Sequence, residues 1–297
     1  MTQLEEFRDR IAAACPGPRG ATPIPRVTLL RAEAPSTPAG VIYDPVVCFA
    51  AQGRKRLMLA DRVYAYDPAQ YLVVSVGLPV IATISDASPE APYLALRLGL
   101  DAGLLASLLL EMPGTDGPRA TGIGIGRLEP DLLDPLMRLM RLLERPNDAA
   151  ALAPLVEREI LYRLLCGPQG PMLRQIALAD SRLSQVARAV AWIRENYHRP
   201  LRIEALARLS AMSPATLHRH FRSVTALSPL QYQKHVRLHE ARRRLLARDA
   251  DAQHVGFAVG YDSPSQFSRE YARLFGAPPG RDAARLRASD RIEAEAV

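Results

Sequence analysis

The chain has 297 residues, 48% of them hydrophobic and 23% charged, which fits two folded domains and excludes a disordered tail protein. No apolar run approaches the roughly 20 residues that span a bilayer, and the N-terminus Met1–Arg10 lacks an apolar signal core, so neither a membrane nor a secreted location is expected. Net charge is +7, but residues 181–297 hold 20 Lys+Arg against 11 Asp+Glu while residues 1–180 hold 18 against 20. A basic half beside a slightly acidic half is the electrostatic footprint of phosphate binding. Cys15, Cys48 and Cys166 are odd in number and lack metal-type spacing. They fit a reducing cytoplasm, as small buried apolar groups.

Residues 1 to about 20 read as a short helix that ends at the Pro16–Pro18 break. From Val27 to about Leu100 the character is β. Short runs rich in Val, Ile and Tyr, such as Val46–Ala50, Lys55–Leu59, Tyr71–Val76 and Tyr93–Leu98, are punctuated by Gly53, Asp61, Asp67-Pro68 and Gly77. Many short strands at close spacing predict an antiparallel sandwich or barrel, and a barrel over about 21–110 is expected. Asp101–Met112 turns helical, and Pro113–Pro118 breaks it. Gly122-Ile-Gly124-Ile-Gly126 lacks the strand–loop–helix setting of a nucleotide fingerprint and is expected to be a hairpin or loop. Leu128–Leu143 and Ala149–Leu165 carry leucines at spacings of three and four, so two apolar helices are expected. Pro171–Leu178 is expected as a connector, and a second domain begins near Ser181 with a helix over Leu183–Asn196.

Two stretches of that second domain repeat about fifty residues apart. Ser213-Pro214 with Leu217, Arg219, Phe221 and Val224 aligns with Ser263-Pro264, Phe267, Arg269, Tyr271 and Leu274. Each has an apolar residue at its fourth, eighth and eleventh positions, one stripe of a helix. Each follows a shorter helical piece and a turn. Short helix, turn and second helix with one polar face is the grammar of a helix-turn-helix. Ser213 and Ser263, each before Pro, are placed as N-caps. Between the units, Pro229–Leu246 predicts a helix about 25 Å long, with Tyr232, Val236, Ala241, Leu245 and Leu246 as its core stripe. Arg237, Arg242, Arg243 and Arg244 are left mostly for solvent or phosphate. Such a rod can hold two reading helices about one turn of duplex apart.

Val259-Gly260-Tyr261, Ser265-Gln266-Phe267-Ser268-Arg269-Glu270-Tyr271 and Phe275-Gly276-Ala277-Pro278 complete a signature that resembles the AraC/XylS transcriptional regulators. The resemblance covers 181 to about 287. Gly256 stands where the family usually has Ala, and Ala226 where a Gly commonly ends the first reading helix. The segments Ala51–Lys55 and Asp67–Ser75 are similar to the N-terminal domain of one subfamily, which is cupin-like and takes regulatory signals. The fold class expected is therefore α+β with two domains. Residues 1–180 form a cupin-like antiparallel barrel plus helices at about 128–166, and 181–297 form an all-α double helix-turn-helix.

Helix phase leaves Ala215, Thr216, His218, Arg219 and Arg222 outward on the first reading helix, and Ser265, Gln266, Ser268, Arg269 and Arg273 on the second. Arg reads guanine, Gln reads adenine, and Ser and Thr bind phosphate or base edges. The expected partner is double-stranded DNA. A metallo-cupin would need two or three His with a carboxylate, yet all six histidines lie between His198 and His254. No metal, no cofactor and no catalysis are therefore expected. An alkyl-transfer enzyme carrying such a module would need a reactive Cys beside His, and none of the three cysteines has one nearby in sequence. What remains is a cytoplasmic homodimeric regulator under a small organic effector, with RNA polymerase as a candidate partner. The alternative is a DNA-binding protein whose barrel serves only dimerisation or protein interaction. For the effector, a mostly apolar pocket enclosed by 21–110 is expected, with Tyr43, Tyr64, Tyr66, Tyr71 and Tyr93 as polar anchors.

Overall fold

The computed structural model describes residues 2–112, 122–178, 181–247 and 251–295, so the break at Pro113–Pro118 lies outside the described residues. Helix α1 (Gln3–Ala14) starts at a reciprocal cap in which Thr2 and Glu5 satisfy each other's amides. The strands follow as β1 (Arg19–Ala21), β2 (Val27–Ala32), β3 (Ala39–Tyr43), β4 (Val46–Gln52) and β5 (Arg54–Leu59). Then come β6 (Arg62–Tyr66), β7 (Gln70–Val74), β8 (Leu78–Asp86) and β9 (Tyr93–Gly99). After α2 (Ala102–Leu109) a last strand, β10 (Ile123–Arg127), precedes α3 (Pro130–Leu142), α4 (Pro146–Cys166) and α5 (Gly170–Ala177).

Among the described residues the strands form two antiparallel sheets, ordered β1-β2-β9-β4-β7-β10 and β3-β8-β5-β6. No ladder joins them, so the expected closed barrel is corrected to an open pair of facing sheets. The corner between β6 and β7 explains it. Ala69, at φ 65, turns the chain so that β7 leaves the sheet of β6 and pairs with β4 and β10. Side chains still cross the gap: Tyr66 Oη on β6 lies 3.1 Å from Tyr93 Oη on β9. The outer face of the larger sheet packs on α1, and α1 on α3.

Two expectations in this half are corrected. The Gly122–Gly126 run leads into an edge strand, β10, paired with β7, rather than a hairpin or loop of its own. A Cβ at Gly126 would sit 2.3 Å from the Tyr71 ring and one at Gly124 2.1 Å from Gln169 Oε1, so the glycines let those side chains cross the strand. Cys166 is exposed, whereas Cys15 and Cys48 are buried.

The second half is helical: α6 (Arg182–Glu195), α7 (Ile203–Leu209), α8 (Pro214–Thr225), α9 (Pro229–Ala247), α10 (Ala252–Ala258), α11 (Pro264–Phe275) and α12 (Pro279–Glu295). One apolar core runs without a break from Phe7 to Val236, through both sheets and through α6–α8. A second, from Leu238 to Ala283, belongs to α9–α12. The rod α9 thus faces both cores.

That position overturns the solvent role expected for Arg242 and Arg237, whereas Arg243 is exposed as expected and Arg244 is half-buried. Arg242 is buried and donates to Asp282 at 2.8 Å. Arg237 donates to the main-chain oxygens of Tyr197 (2.7 Å) and Gly260 (2.6 Å). Arg244 reaches Glu240 and the Tyr197 hydroxyl, and Arg243 pairs with Glu240. A rod with neighbours on several sides turns its charged faces into ties.

Among the described residues the close approaches between the halves include these four. Tyr232 Oη on α9 donates to Gly77 O at 2.7 Å, and Arg194 on α6 pairs with Asp44. A Cβ at Gly122 would lie 2.2 Å from Val224 O, and one at Gly40 2.5 Å from the His239 ring. Burial holds His239 neutral, with its pKa pushed down to about 3.

Candidate nucleic-acid interface

The two helix-turn-helix units are built alike. In each the turn is left-handed, at Ala211 (φ 53) after α7 and Gly260 (φ 95) after α10. Ser213 Oγ accepts the Thr216 amide and Ser263 Oγ the Gln266 amide, both at 3.3 Å, with Pro214 and Pro264 in the first turn. Both serines are therefore N-caps. Helix α8 ends at Ala226 (φ 60) and α11 at Gly276 (φ 78), each left-handed. A side chain in that region costs about 1–2 kcal/mol, partly offset by glycine's larger unfolded-state entropy. Ala226→Gly is expected to stabilise the protein by about 0.5–1 kcal/mol; a lower denaturation midpoint in urea would contradict the strain.

Leu217, Phe221 and Val224 are buried on α8, as are Phe267 and Tyr271 on α11, while Leu274 is half-buried. The opposite faces carry every residue expected there. Ala215, His218, Arg219 and Arg222 are exposed and Thr216 half-buried on α8; Ser265, Arg269 and Arg273 are exposed and Gln266 and Ser268 half-buried on α11. Among the described residues, none of Arg219, Arg222, Arg269 and Arg273 makes an ion pair, so their guanidiniums face water. Two candidates are partly committed. Thr216 Oγ1 accepts from Ser213 Oγ at 3.0 Å, and Gln266 Nε2 donates to Glu270 at 3.1 Å. Glu270 is itself held by Lys234 on α9 (2.9 Å) and Tyr261 (2.9 Å), and these hydrogen bonds keep its pKa low against the opposing effect of burial. Glu270 braces α11 on the rod. Sequence periodicity places it on the helix edge but does not reveal the brace.

A cleft of about 710 Å³ opens between the sheets and is closed by α9 and the end of α6. It departs from the enclosed apolar pocket expected of 21–110. Of the five tyrosines only Tyr43 lines it; Tyr66 and Tyr93 are buried against each other, and Tyr71 lies against Phe49. Its lining includes Arg19, Lys55 and Arg97. Lys55 occupies an inward position of β5, in alternation with Leu57 and Leu59, while Arg54, Arg56 and Met58 face out. That lysine within an inward apolar row is the signal in the sequence that reading by composition passed over.

Residues 23–172 match the description "AraC-type transcriptional regulator N-terminus", about half of the chain, and residues 206–285 match a helix-turn-helix domain. The chain belongs to the AraC-type transcriptional regulators. It is 30% identical over 164 residues to the HTH-type transcriptional activator RhaS of Escherichia fergusonii, covering 53% of this chain and 58% of the relative. The match thus spans little more than half the relative's length. Solved ToxT structures from Vibrio cholerae share the fold at 10% identity. An apo point variant gives a TM-score of 0.56 over 87% of this chain and 97% of its own, and the unsaturated fatty acid-bound wild type gives 0.55 over 87% and 93%. No described helix is long and apolar enough to cross a membrane.

Proposed function

We propose that this AraC-type chain is a non-enzymatic, cytoplasmic regulator that reads double-stranded DNA with α8 and α11 and is controlled by a small organic effector in the inter-domain cleft. The observation that carries the reading is the pair of like-capped helices. Each presents two exposed arginines without ion-pair partners on the face opposite its apolar stripe. The 19-residue rod between them is about 28 Å long, close to the 34 Å of one duplex turn. Effector control is supported by the cleft itself, whose far wall is that rod, and by the acid found in one ToxT structure of the same fold. Exposed Leu152, Leu155 and Tyr162 on α4 offer a face for a second copy of the chain. RNA polymerase is the partner a transcriptional activator would require.

Selection of duplexes from a random pool by the full chain tests the reading. It is expected to recover sites with two short motifs whose centres lie about ten base pairs apart. A pool that stays random after several rounds would contradict sequence-specific reading.

A further inference from the structure

The cleft holds more positive charge than its surroundings neutralise. Lys55 is 9% exposed, and its ammonium lies 5.7 Å from the Tyr43 ring centroid and 5.6 Å from that of Tyr93. The Arg97 guanidinium on the opposite sheet stands 5.1 Å from the same Tyr43 centroid. Its Nε is buried with no hydrogen-bond partner. Among the described residues no carboxylate pairs with Lys55, Arg97 or Arg19. The two acids of the cleft are taken: Asp44 by Arg194, and Glu240 by Arg243 and Arg244. A buried ammonium and a half-buried guanidinium sharing one aromatic ring repel each other, and ring faces compensate buried charge less well than an anion does.

We propose that this cleft is an anion site, and that the effector is a small organic carboxylate whose head sits between Lys55 and Arg97. The proposal rests on the effector reading of the cleft and names the chemistry of the ligand. A point-charge ammonium beside a planar guanidinium fork matches the two oxygens of a carboxylate. A phosphate would call for more donors, whereas the remaining walls include the apolar Val41, Ile84 and Val236. Those walls suit a hydrocarbon body, and the volume falls within the range of small-molecule sites. Val236 and His239 belong to α9, so a bound acid touches the rod that carries both reading helices. Differential contact with that rod is the coupling a regulator needs.

The test uses the full chain and two matched pairs of probes, cinnamate with cinnamamide and octanoate with octanamide, titrated by calorimetry. At least one acid is expected to bind tenfold or more tightly than its amide. Lys55→Met is expected to abolish that preference, and Arg97→Leu, on the other sheet, to abolish it independently. Without any ligand, Lys55→Met is expected to raise Tm, because it removes a buried uncompensated charge. Four results overturn the proposal: amides that bind as well as acids, neither acid binding at millimolar concentration, inorganic phosphate binding as tightly as the acids, or Lys55→Met lowering the ligand-free Tm. An acid that binds at Lys55 yet leaves DNA affinity unchanged confirms the anion site and refutes effector control.

Discussion

Asp282→Ala is expected to destabilise the full chain by about 3–5 kcal/mol, the usual cost of stranding one member of a buried ion pair. Asp282 is fully buried at the start of α12. It accepts from Arg242 at 2.8 and 3.3 Å, from Tyr271 Oη at 3.0 Å and from Arg285 at 2.7 Å. Removing it leaves the Arg242 guanidinium buried beside the Phe275 ring, 4.6 Å from its centroid, with no counter-charge. The damage should centre on the second unit, because Tyr271 anchors α11 through the same carboxylate. Replacing both partners by apolar residues, Arg242→Met with Asp282→Leu, should cost much less than the single change, since no orphaned charge remains. Urea denaturation followed by circular dichroism reads both. A loss below about 1 kcal/mol for Asp282→Ala would mean that the pair is solvated rather than buried.

DNA affinity is expected to fall roughly 10³-fold or more between 50 and 200 mM salt. Arg219, Arg222, Arg269 and Arg273 are exposed and unpaired, so each can displace a condensed counterion from a phosphate. A dimer would bring eight such groups to one site. Arg237 and Arg242 are tied to main-chain oxygens and to Asp282 within the protein and should leave the slope unchanged. Substituting Arg222 or Arg273 by Ala should therefore reduce the logarithmic slope by about one. A gel-shift titration with affinity independent of salt would remove the phosphate argument.

The helical half was legible because it repeats. Ser-Pro before an apolar stripe at fixed spacing marks a capped helix twice, and Phe267 and Leu217 fall inward as helix phase requires. All ten outward residues lie on the exposed or half-exposed faces where phase put them. Arg242 and Arg237 on the rod were misread, since periodicity along one helix does not record how many neighbours surround it. The β half was legible as short strands but not as topology. Alternation in Arg54–Leu59 reveals two faces, yet whether two sheets close depends on corners such as Ala69, whose positive φ carries no residue-type signal. The Gly122–Gly126 strand was missed because glycine is depleted in strands, and here it serves close approach by Tyr71. The cleft was missed for a related reason. Its cations come from β1, β5 and β9, which only the tertiary fold brings together.

The central claim is that α8 and α11 read adjacent turns of one duplex. Footprinting of Arg219→Ala and Arg269→Ala on a selected site tests it most directly. Each variant should bind about 1–3 kcal/mol more weakly while unfolding at an unchanged temperature. The Arg219 variant should lose protection over one motif and the Arg269 variant over the other, about ten base pairs away. Loss of the same bases in both footprints would contradict the account.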